Sequence, residues 1–376
     1  MATRAYVGVS DKAYKVKRIY LGFNGKARNV KKVYIGVNGK ARLCWMRPGL
    51  YKYTGSINGL TNAKYGLAAS TIQNYALFGG GKTLAKEFYS TVDVYDSSLA
   101  KRTAADLNVS RSFLAATAVG NCVLFGGGTG ASGYYKTVEA YNSSLSKTVL
   151  TDLSKQRGYL SATTVGPFAI FGGGAYNNGA VVDAYHETGA KHILADLSNA
   201  RYNLDATTVG NYALFGGGYA SSGGTDVYST VDAYDSSLVK TTAKNFNIAR
   251  YSVTAASVGS YAIFAGGLDS SDNSLKNVDA YDSSLVKVTI ADLPYKAYAM
   301  SGTTLGSYAL FGAPDESAYS IIYDSSLTQT KDTGLIEHGY YTAATTVGNY
   351  ALLSGGRNAG NTKVYATVEA YYKYDG

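Results

Sequence analysis

The chain has 376 residues but only two cysteines and three histidines, so it is poor in the residues that form disulfides and hold metals. Cys44 and Cys122 lie in different segments, which argues against a disulfide framework and favours buried thiols that pack as small apolar groups. His186, His192 and His338 fall at different positions of the repeat described below, so a three-histidine metal site is not expected. We therefore predict no metal and no cofactor.

Long apolar runs are scarce too. No run of about 18 apolar residues suggests a transmembrane helix, and the first residues, Met1 to Ala5, lack a signal-peptide pattern. We therefore expect synthesis in the cytoplasm without export, and no insertion into a membrane. The repeats also lack a helical period, which excludes a solenoid of helix pairs.

What the sequence has in abundance is one repeated phrase, first seen as Tyr-Ala-Leu-Phe-Gly-Gly-Gly at 75–81. In each unit this phrase follows a strand of small residues and a tight glycine turn, and a variable loop leads from it to two further strands, such as 230–234 and 240–244. A period of 42 to 49 residues with strand patterning predicts four-stranded β-propeller blades. The seven copies begin at Tyr75, Cys122, Phe168, Tyr212, Tyr261, Tyr308 and Tyr350.

The ends of the repeat array predict how it closes. The last unit has three strands, and residues 50–56 stand upstream of the first unit at the position of a fourth strand. We therefore predict an all-β fold in which a seven-bladed propeller spans 49–376 and is closed by the pairing of 50–56 with the last blade. The glycines lead into strands rather than helices, so they are assigned to tight packing and turns and not to a phosphate site.

The units resemble Kelch repeats, which have a glycine doublet after a hydrophobic strand, then an acidic residue and a tyrosine, as in 92–95, and an arginine that opens the next blade. The resemblance covers 50–376 and implies the propeller fold. The tryptophan usual in that family is replaced, for example by Arg102 and Thr148, so no known Kelch partner is carried over. The repeated acidic residues are predicted to hold the blades together; they are Asp93, Glu139, Asp183, Asp232, Asp279 and Glu369.

The first 48 residues form a different module. They hold 12 basic residues and one acidic residue, whereas the remainder holds 23 basic and 25 acidic residues. A 14-residue repeat and the Asn-Gly pairs at 24–25 and 38–39 predict short β-hairpins. These repeats resemble short repeats in structural proteins of phages and prophages of Gram-positive bacteria, which implies attachment to a virion protein. Alternatively, this module forms a homo-oligomer. Nucleic-acid binding is less favoured, because no aromatic stacking platform accompanies the positive charge.

Catalysis is not expected. The single tryptophan, Trp45, rules out the repeated boxes of sialidase-type propellers, and the scattered histidines with Cys122 do not match the copper oxidases of Kelch architecture. An alternative remains, in which loop carboxylates converge as they do in glycan-acting enzymes, using Asp269, Asp272, Asp315 and Glu316.

The loops after the glycines carry the site prediction. They are rich in Tyr, Ser, Gly and Asn, which suits adaptable recognition, and topology places them on one face with the repeated arginines. For the arginines, blade pairing and ligand contact are both open. The predicted ligand-binding residues are Tyr89, Tyr134, Tyr135, Tyr176, Asn177, Tyr219, Tyr228, Asp269, Asp272, Asp315, Tyr319, Arg357, Arg111, Arg157, Arg201 and Arg250.

The leading functional hypothesis is a non-enzymatic binding protein of a phage or prophage virion. Its propeller loops would recognise a glycan or protein of the host surface, with tyrosines stacking on sugars and Asn or Asp binding hydroxyl groups. The alternatives are a structural protein that decorates or assembles the virion and a glycan-acting propeller enzyme.

Overall fold

A computed structural model describes residues 49–53, 55–176, 179–220, 225–312, 319–333 and 339–374, and the backbone of six strands before residue 47. Packing divides the chain into two units, one formed by 1–53 with 371–376 and the other by 54–370. In the part of the chain that is described, every regular element is a β-strand, and no helix is long and apolar enough to cross a membrane.

The first unit contains three antiparallel hairpins and one further strand pair. The Asn-Gly turns predicted at 24–25 and 38–39 lie outside the described residues, and the strands on either side of them are paired. The hairpin strands are β1 Tyr6–Val9 with β2 Lys12–Lys15, β3 Ile19–Phe23 with β4 Lys26–Val30, and β5 Lys32–Val37 with β6 Lys40–Met46. Strand β7, Gly49–Lys52, pairs antiparallel with residues 371–374, so residues on both sides of the long repeat array meet in one ladder.

The blades are antiparallel sheets. In blades 1 to 6 the strands follow chain order from the inside out, and in blade 7 the fourth strand is β7. Blades 1 to 3 consist of β8 Ala68–Ile72, β9 Tyr75–Gly79, β10 Val92–Asp96 and β11 Lys101–Arg102; β12 Ala115–Val119, β13 Cys122–Gly126, β16 Val138–Asn142 and β17 Lys147–Val149; and β18 Ser161–Val165, β19 Phe168–Gly172, β20 Val182–His186 and β21 Lys191–Ile193. Two short strands, β14 Thr129–Gly130 and β15 Gly133–Tyr134, form a hairpin in the loop of blade 2.

Blades 4 to 7 repeat this order. They consist of β23 Asp205–Val209, β24 Tyr212–Gly216, β26 Val231–Asp235 and β27 Lys240–Ala243; β28 Thr254–Val258, β29 Tyr261–Ala265, β30 Val278–Asp282 and β31 Lys287–Val288; β32 Gly302–Leu305, β33 Tyr308–Phe311, β34 Tyr319–Asp324 and β35 Gln329–Thr333; and β36 Ala343–Val347, β37 Tyr350–Ser354, β38 Val368–Tyr374 and β7. A short pair, β22 Arg201–Tyr202 and β25 Tyr219–Ala220, links the start of blade 4 to its own loop.

The innermost strands close a circle. Each contacts the innermost strand of the next blade, and β36 of blade 7 contacts β8 of blade 1. At that last junction the Thr71 hydroxyl is 2.6 Å from the Thr345 hydroxyl and also donates to the carbonyl of Thr346. The predicted all-β, seven-bladed propeller is therefore confirmed.

Blades pack through phenylalanines that fill the space left by glycines. The ring of Phe125 in blade 2 lies against Gly79 in blade 1, where an added Cβ would come within 2.8 Å of the ring. Gly126 and Phe171 repeat the contact one blade further on. The first glycine of each triplet is thus required by the packing between blades, in keeping with the structural role predicted from sequence.

A buried ion pair braces most blades. Arg157 and Asp183 are fully buried and 2.8 Å apart, and Lys191 approaches the same carboxylate at 3.0 Å. The carboxylate also accepts hydrogen bonds from Ser154, and the Arg157 guanidinium donates to the carbonyl of Phe171. The same pairing joins Lys64 with Asp93, Arg111 with Glu139, Arg201 with Asp232 and Arg250 with Asp279.

This burial corrects the assignment of Arg111, Arg157, Arg201 and Arg250 as ligand-binding residues. Their side chains are 0% exposed, so no ligand reaches them, and the open alternative of blade pairing is the one that the structure has. The prediction for Cys122 is also corrected, because it is partly exposed at the start of β13 rather than buried.

Candidate functional site

At one end of the propeller, one residue of each blade has a positive φ, between 48° and 65°. In blades 1 to 5 this residue lies two positions after the buried lysine or arginine that precedes the first strand. Its N–H donates to the carbonyl of the equivalent residue in the preceding blade, at distances of 2.6 to 3.1 Å, and the N–H from blade 1 donates to blade 7. The hydrogen bonds therefore form a closed circle around the axis. We call these residues the axial ring: Gly66, Phe113, Tyr159, Asn203, Ser252, Ala299 and Tyr341.

The axial ring holds its backbone in a costly conformation. All but Gly66 carry a side chain, and left-handed backbone costs such residues on the order of 1 kcal/mol each. The conformation persists because each N–H and each carbonyl on the circle is matched to a neighbouring blade. Strain of this kind, fixed by the surroundings, is common where a protein shapes a binding site.

A pocket of about 200 Å³ opens at the axial ring and is lined by residues from all seven blades. One side carries Phe113, Tyr159 and Tyr341, with the Phe113 and Tyr159 rings stacked at 4.1 Å. The other side carries the polar residues Asn203 and Ser252. The pocket therefore has an aromatic wall and a polar wall, although the blades that build it share one fold.

Asp205 is the carboxylate in the pocket lining. It accepts hydrogen bonds from the N–H groups of Ala255 and Ala206 and from the hydroxyl of Ser161, so it ties blade 4 to blades 3 and 5. Burial raises the pKa of Asp205 to about 6, and these three hydrogen bonds only partly offset that effect. Asp205 is partly exposed as a residue. A carboxyl group that titrates near neutral pH is thus available at this site.

Tyrosines outside the pocket lining form an aromatic belt on blades 2 to 5. Tyr202 and Tyr251 flank Tyr219 at ring distances of 5.6 and 5.2 Å, and the loop residues Tyr134 and Tyr176 stack with nearly parallel rings, 10° apart, at 5.2 Å. Tyr176 is 48% exposed, so this pair presents an aromatic surface to solvent. Among the residues predicted from sequence, Tyr134 and Tyr176 therefore form one aromatic pair, and Tyr219 contacts Tyr202 and Tyr251.

Two cations cover the aromatic wall. The Nζ of Lys82 is 4.9 Å from the centre of the Phe113 ring, and the guanidinium of Arg357 is 5.2 Å from the centre of Tyr341 and 5.4 Å from that of Tyr65. Burial and the nearby charges of Lys86 and Arg357 lower the pKa of Lys82. Arg357, predicted as a ligand contact, therefore lies at the mouth of the axial pocket.

Three other predicted tyrosines form backbone hydrogen bonds that join one blade to the next. The backbone carbonyls of Tyr89, Tyr135 and Tyr228 each accept the N–H of the arginine that opens the next blade, and Gly179 does the same in blade 3. Tyr319 lies in β34, where the Nζ of Lys331 is 3.4 Å from its ring centre. These side chains are partly exposed, but their positions are set by blade construction rather than by the pocket.

The predicted acidic residues Asp269 and Asp272 accept hydrogen bonds from nearby protein groups. Asp269 accepts hydrogen bonds from the N–H groups of Ser271 and Asn273, and Asp272 accepts one from the hydroxyl of Tyr251. Asn177, Asp315 and Glu316 lie outside the described residues, as does His338. The rings of His186 and His192 both contact Phe168, at 5.1 and 5.5 Å.

The prediction from sequence missed Asn203, Asp205 and Ser252. Asp205 could have been found by comparing the repeats, because the equivalent residue is Ala, Ser or Thr in the other blades. Asn203 and Ser252 belong to the axial ring, whose members share no residue type and therefore give no sequence signal.

Comparisons with known proteins agree on the fold. No family model and no curated protein matches the chain. A solved structure described as "Structure of YjhT" is similar with a TM-score of 0.53 and 13% sequence identity, over 71% of this chain and 96% of that one. At this identity the similarity extends to the propeller fold alone.

Proposed function

We propose that the chain is a non-enzymatic binding protein that recognises a glycan of a host surface through the propeller face bearing the axial ring. The observation that supports this most is the stacked pair of Tyr134 and Tyr176. Flat aromatic surfaces bury a large apolar area at low entropic cost, and their hydroxyl groups add hydrogen bonds, as in other recognition loops. The neighbouring tyrosines of the aromatic belt extend the same chemistry towards the axis.

The proposal places this binding protein on a phage or prophage virion. Its support is the basic hairpin repeat of residues 1–48, which resembles repeats of phage structural proteins and differs in charge from the near-neutral remainder. In this arrangement the first 48 residues attach to a virion protein and the propeller binds the host.

The test is binding of the full chain to a glycan array and to host envelopes, with a double variant. Tyr134→Ala and Tyr176→Asn remove both rings, and Asn tolerates the positive φ of 73° at position 176. The control is Tyr212→Ala. This tyrosine is the first residue of β24, at the end of the strand away from the loop that follows Gly216, and blade 2 has the smaller residue Cys122 at the same position.

Saturable binding by the parent chain and the control, lost in the double variant, is the expected result. Equal binding by the double variant would remove the aromatic pair from the site. Absence of binding to every glycan and envelope would instead favour the structural role in the virion, with the partner sought among virion proteins.

A further inference from the structure

The axial pocket has polar groups that the protein itself does not use. The side-chain amide of Asn203 has no hydrogen-bond partner among the described residues. Ser252 also lines the pocket, but its hydroxyl is buried beside the Tyr341 phenol, out of reach of a ligand. The partly exposed amide of Asn203 is therefore the unpaired group that can form hydrogen bonds with a molecule in the pocket.

Asp205 adds an acceptor to the same wall. An ionised carboxylate has about four acceptor positions, and here three are occupied by Ala255, Ala206 and Ser161. One position remains for a donor in the pocket. Together with the amide of Asn203, it forms a polar edge that offers both a donor and acceptors.

The charges around the pocket are of both signs, which favours a neutral ligand over a strongly charged one. A cation would meet Lys82 and Arg357, which already occupy the aromatic faces of Phe113 and Tyr341. An anion would meet the carboxylate of Asp205. The ligand that fits is therefore neutral and rich in hydroxyl groups, with a less polar face for the aromatic wall.

The volume limits the size of the ligand. Sites for drug-sized molecules measure about 300–1,000 Å³, and this pocket holds about 200 Å³. We infer that the axial pocket is a second binding site, separate from the Tyr134 and Tyr176 pair, that takes one neutral sugar residue through Asn203 and Asp205. This inference rests on the proposed glycan binding and makes it more specific: a pocket of this volume admits a terminal sugar rather than the middle of a chain.

The test is saturation-transfer NMR on the full chain with methyl glycosides of neutral hexoses, a deoxyhexose and N-acetylhexosamines. Asn203→Gly removes the amide and keeps the backbone, because glycine adopts the φ of 51° at this position and Gly66 already does so in the same ring. The matched control is Asn361→Gly, which makes the same change at a φ of 52° on an exposed residue outside the pocket lining. Asp205→Asn is a second variant, which removes the charge and keeps the shape of the side chain.

We expect at least one glycoside to bind the parent chain and Asn361→Gly alike, and to bind Asn203→Gly and Asp205→Asn about tenfold more weakly, since one hydrogen bond in a buried site is worth about that factor. The Tyr134 and Tyr176 double variant should keep this binding even if it loses array binding. The inference fails if no glycoside binds at millimolar concentration, or if Asn203→Gly binds as tightly as the parent. Loss in the tyrosine variant alone would assign the sugar to the outer pair, which would leave the proposed function standing without the pocket.

Discussion

Blade 3 and blade 6 fill the same buried position in opposite ways. In blade 3, Arg157 and Asp183 form an ion pair with no exposure to solvent. In blade 6, Ala297 stands in the place of the arginine and Ile321 in that of the carboxylate, and both lie in one apolar cluster with Leu293 and other side chains. Asp183 and Ile321 occupy equivalent positions in their blades, because each pairs with the phenylalanine of the repeated phrase on the neighbouring strand, Phe171 in blade 3 and Phe311 in blade 6.

In blades 1 to 6, the difference shows that this position takes either a pair of opposite charges or a pair of apolar residues. Isolated buried charges are costly, whereas a buried ion pair and an apolar pair of suitable shape are often similar in stability. Blade 6 lacks both charges together, and blades 1 to 5 keep both. Blade 1 follows the same rule with Lys64, since burial opposes ionisation of Asp93 but Lys64, Lys101 and Thr61 hold its pKa below the usual value.

The largest effect expected is that of breaking one pair. Arg157→Ala should lower the free energy of unfolding by about 3–5 kcal/mol, because Asp183 would remain buried with only Lys191 as a cation. Adding Asp183→Ile gives blade 3 the residues of blade 6 and should restore more than half of the loss. Denaturant titration of the parent chain, both single variants and the double variant forms the cycle that measures this coupling.

A double variant as unstable as Arg157→Ala would show that blade 6 depends on its other substitutions. The matched control is Arg102→Ala, which removes an exposed ion-pair partner of Asp96 and should cost no more than about 1 kcal/mol.

These pairs also show what the sequence can and cannot predict. The spacing of the repeats predicted the seven blades, because strand patterning and glycine positions are direct consequences of blade packing. The burial of the arginines was left open, since an arginine beside Phe113 or Tyr159 looks the same in sequence whether it faces the pocket or the blade. The axial ring could not be predicted, because the conformation is fixed by neighbouring blades and not by residue type, as the change from Gly66 to Tyr341 shows.

The second prediction concerns a buried carboxylate without a cation. Asp205 is held by neutral donors, in contrast to Asp183, and its pKa is about 6 against an ordinary value of 3.8. An acid whose pKa is raised in the folded state binds its proton more tightly there, so its contribution to stability is present at low pH and is lost as the pH rises from about 4 to about 6. Replacement of Asp205 by Asn should remove this dependence.

The measurement is the unfolding free energy of the parent chain and of Asp205→Asn from pH 4 to pH 8. We expect the advantage of the parent chain over the variant to shrink by about 1–3 kcal/mol as the pH rises to 7, and to change little above that. A difference that stays constant across this range would mean that Asp205 is ionised throughout and that the hydrogen bonds from Ala255, Ala206 and Ser161 outweigh its burial.

The smallest effect is expected at the axial ring, which passes through charged and apolar blades without distinction. Ala299 is the axial-ring residue of blade 6 and has a φ of 48°. Replacement by glycine removes the strain of that conformation, which stabilises the fold. It also increases the entropy of the unfolded chain and removes a buried methyl group, and both of these effects destabilise the fold. These effects nearly cancel, so Ala299→Gly should change the unfolding free energy by no more than about 1 kcal/mol.

The control is Ala256→Gly in β28, where the backbone is extended and the methyl group is also buried. There is no strain to remove at this position, so the variant should cost about 1–2 kcal/mol more than Ala299→Gly. Equal losses at the two positions, measured by denaturant titration, would show that the ring residues are not strained and that the circle of hydrogen bonds follows from blade packing alone.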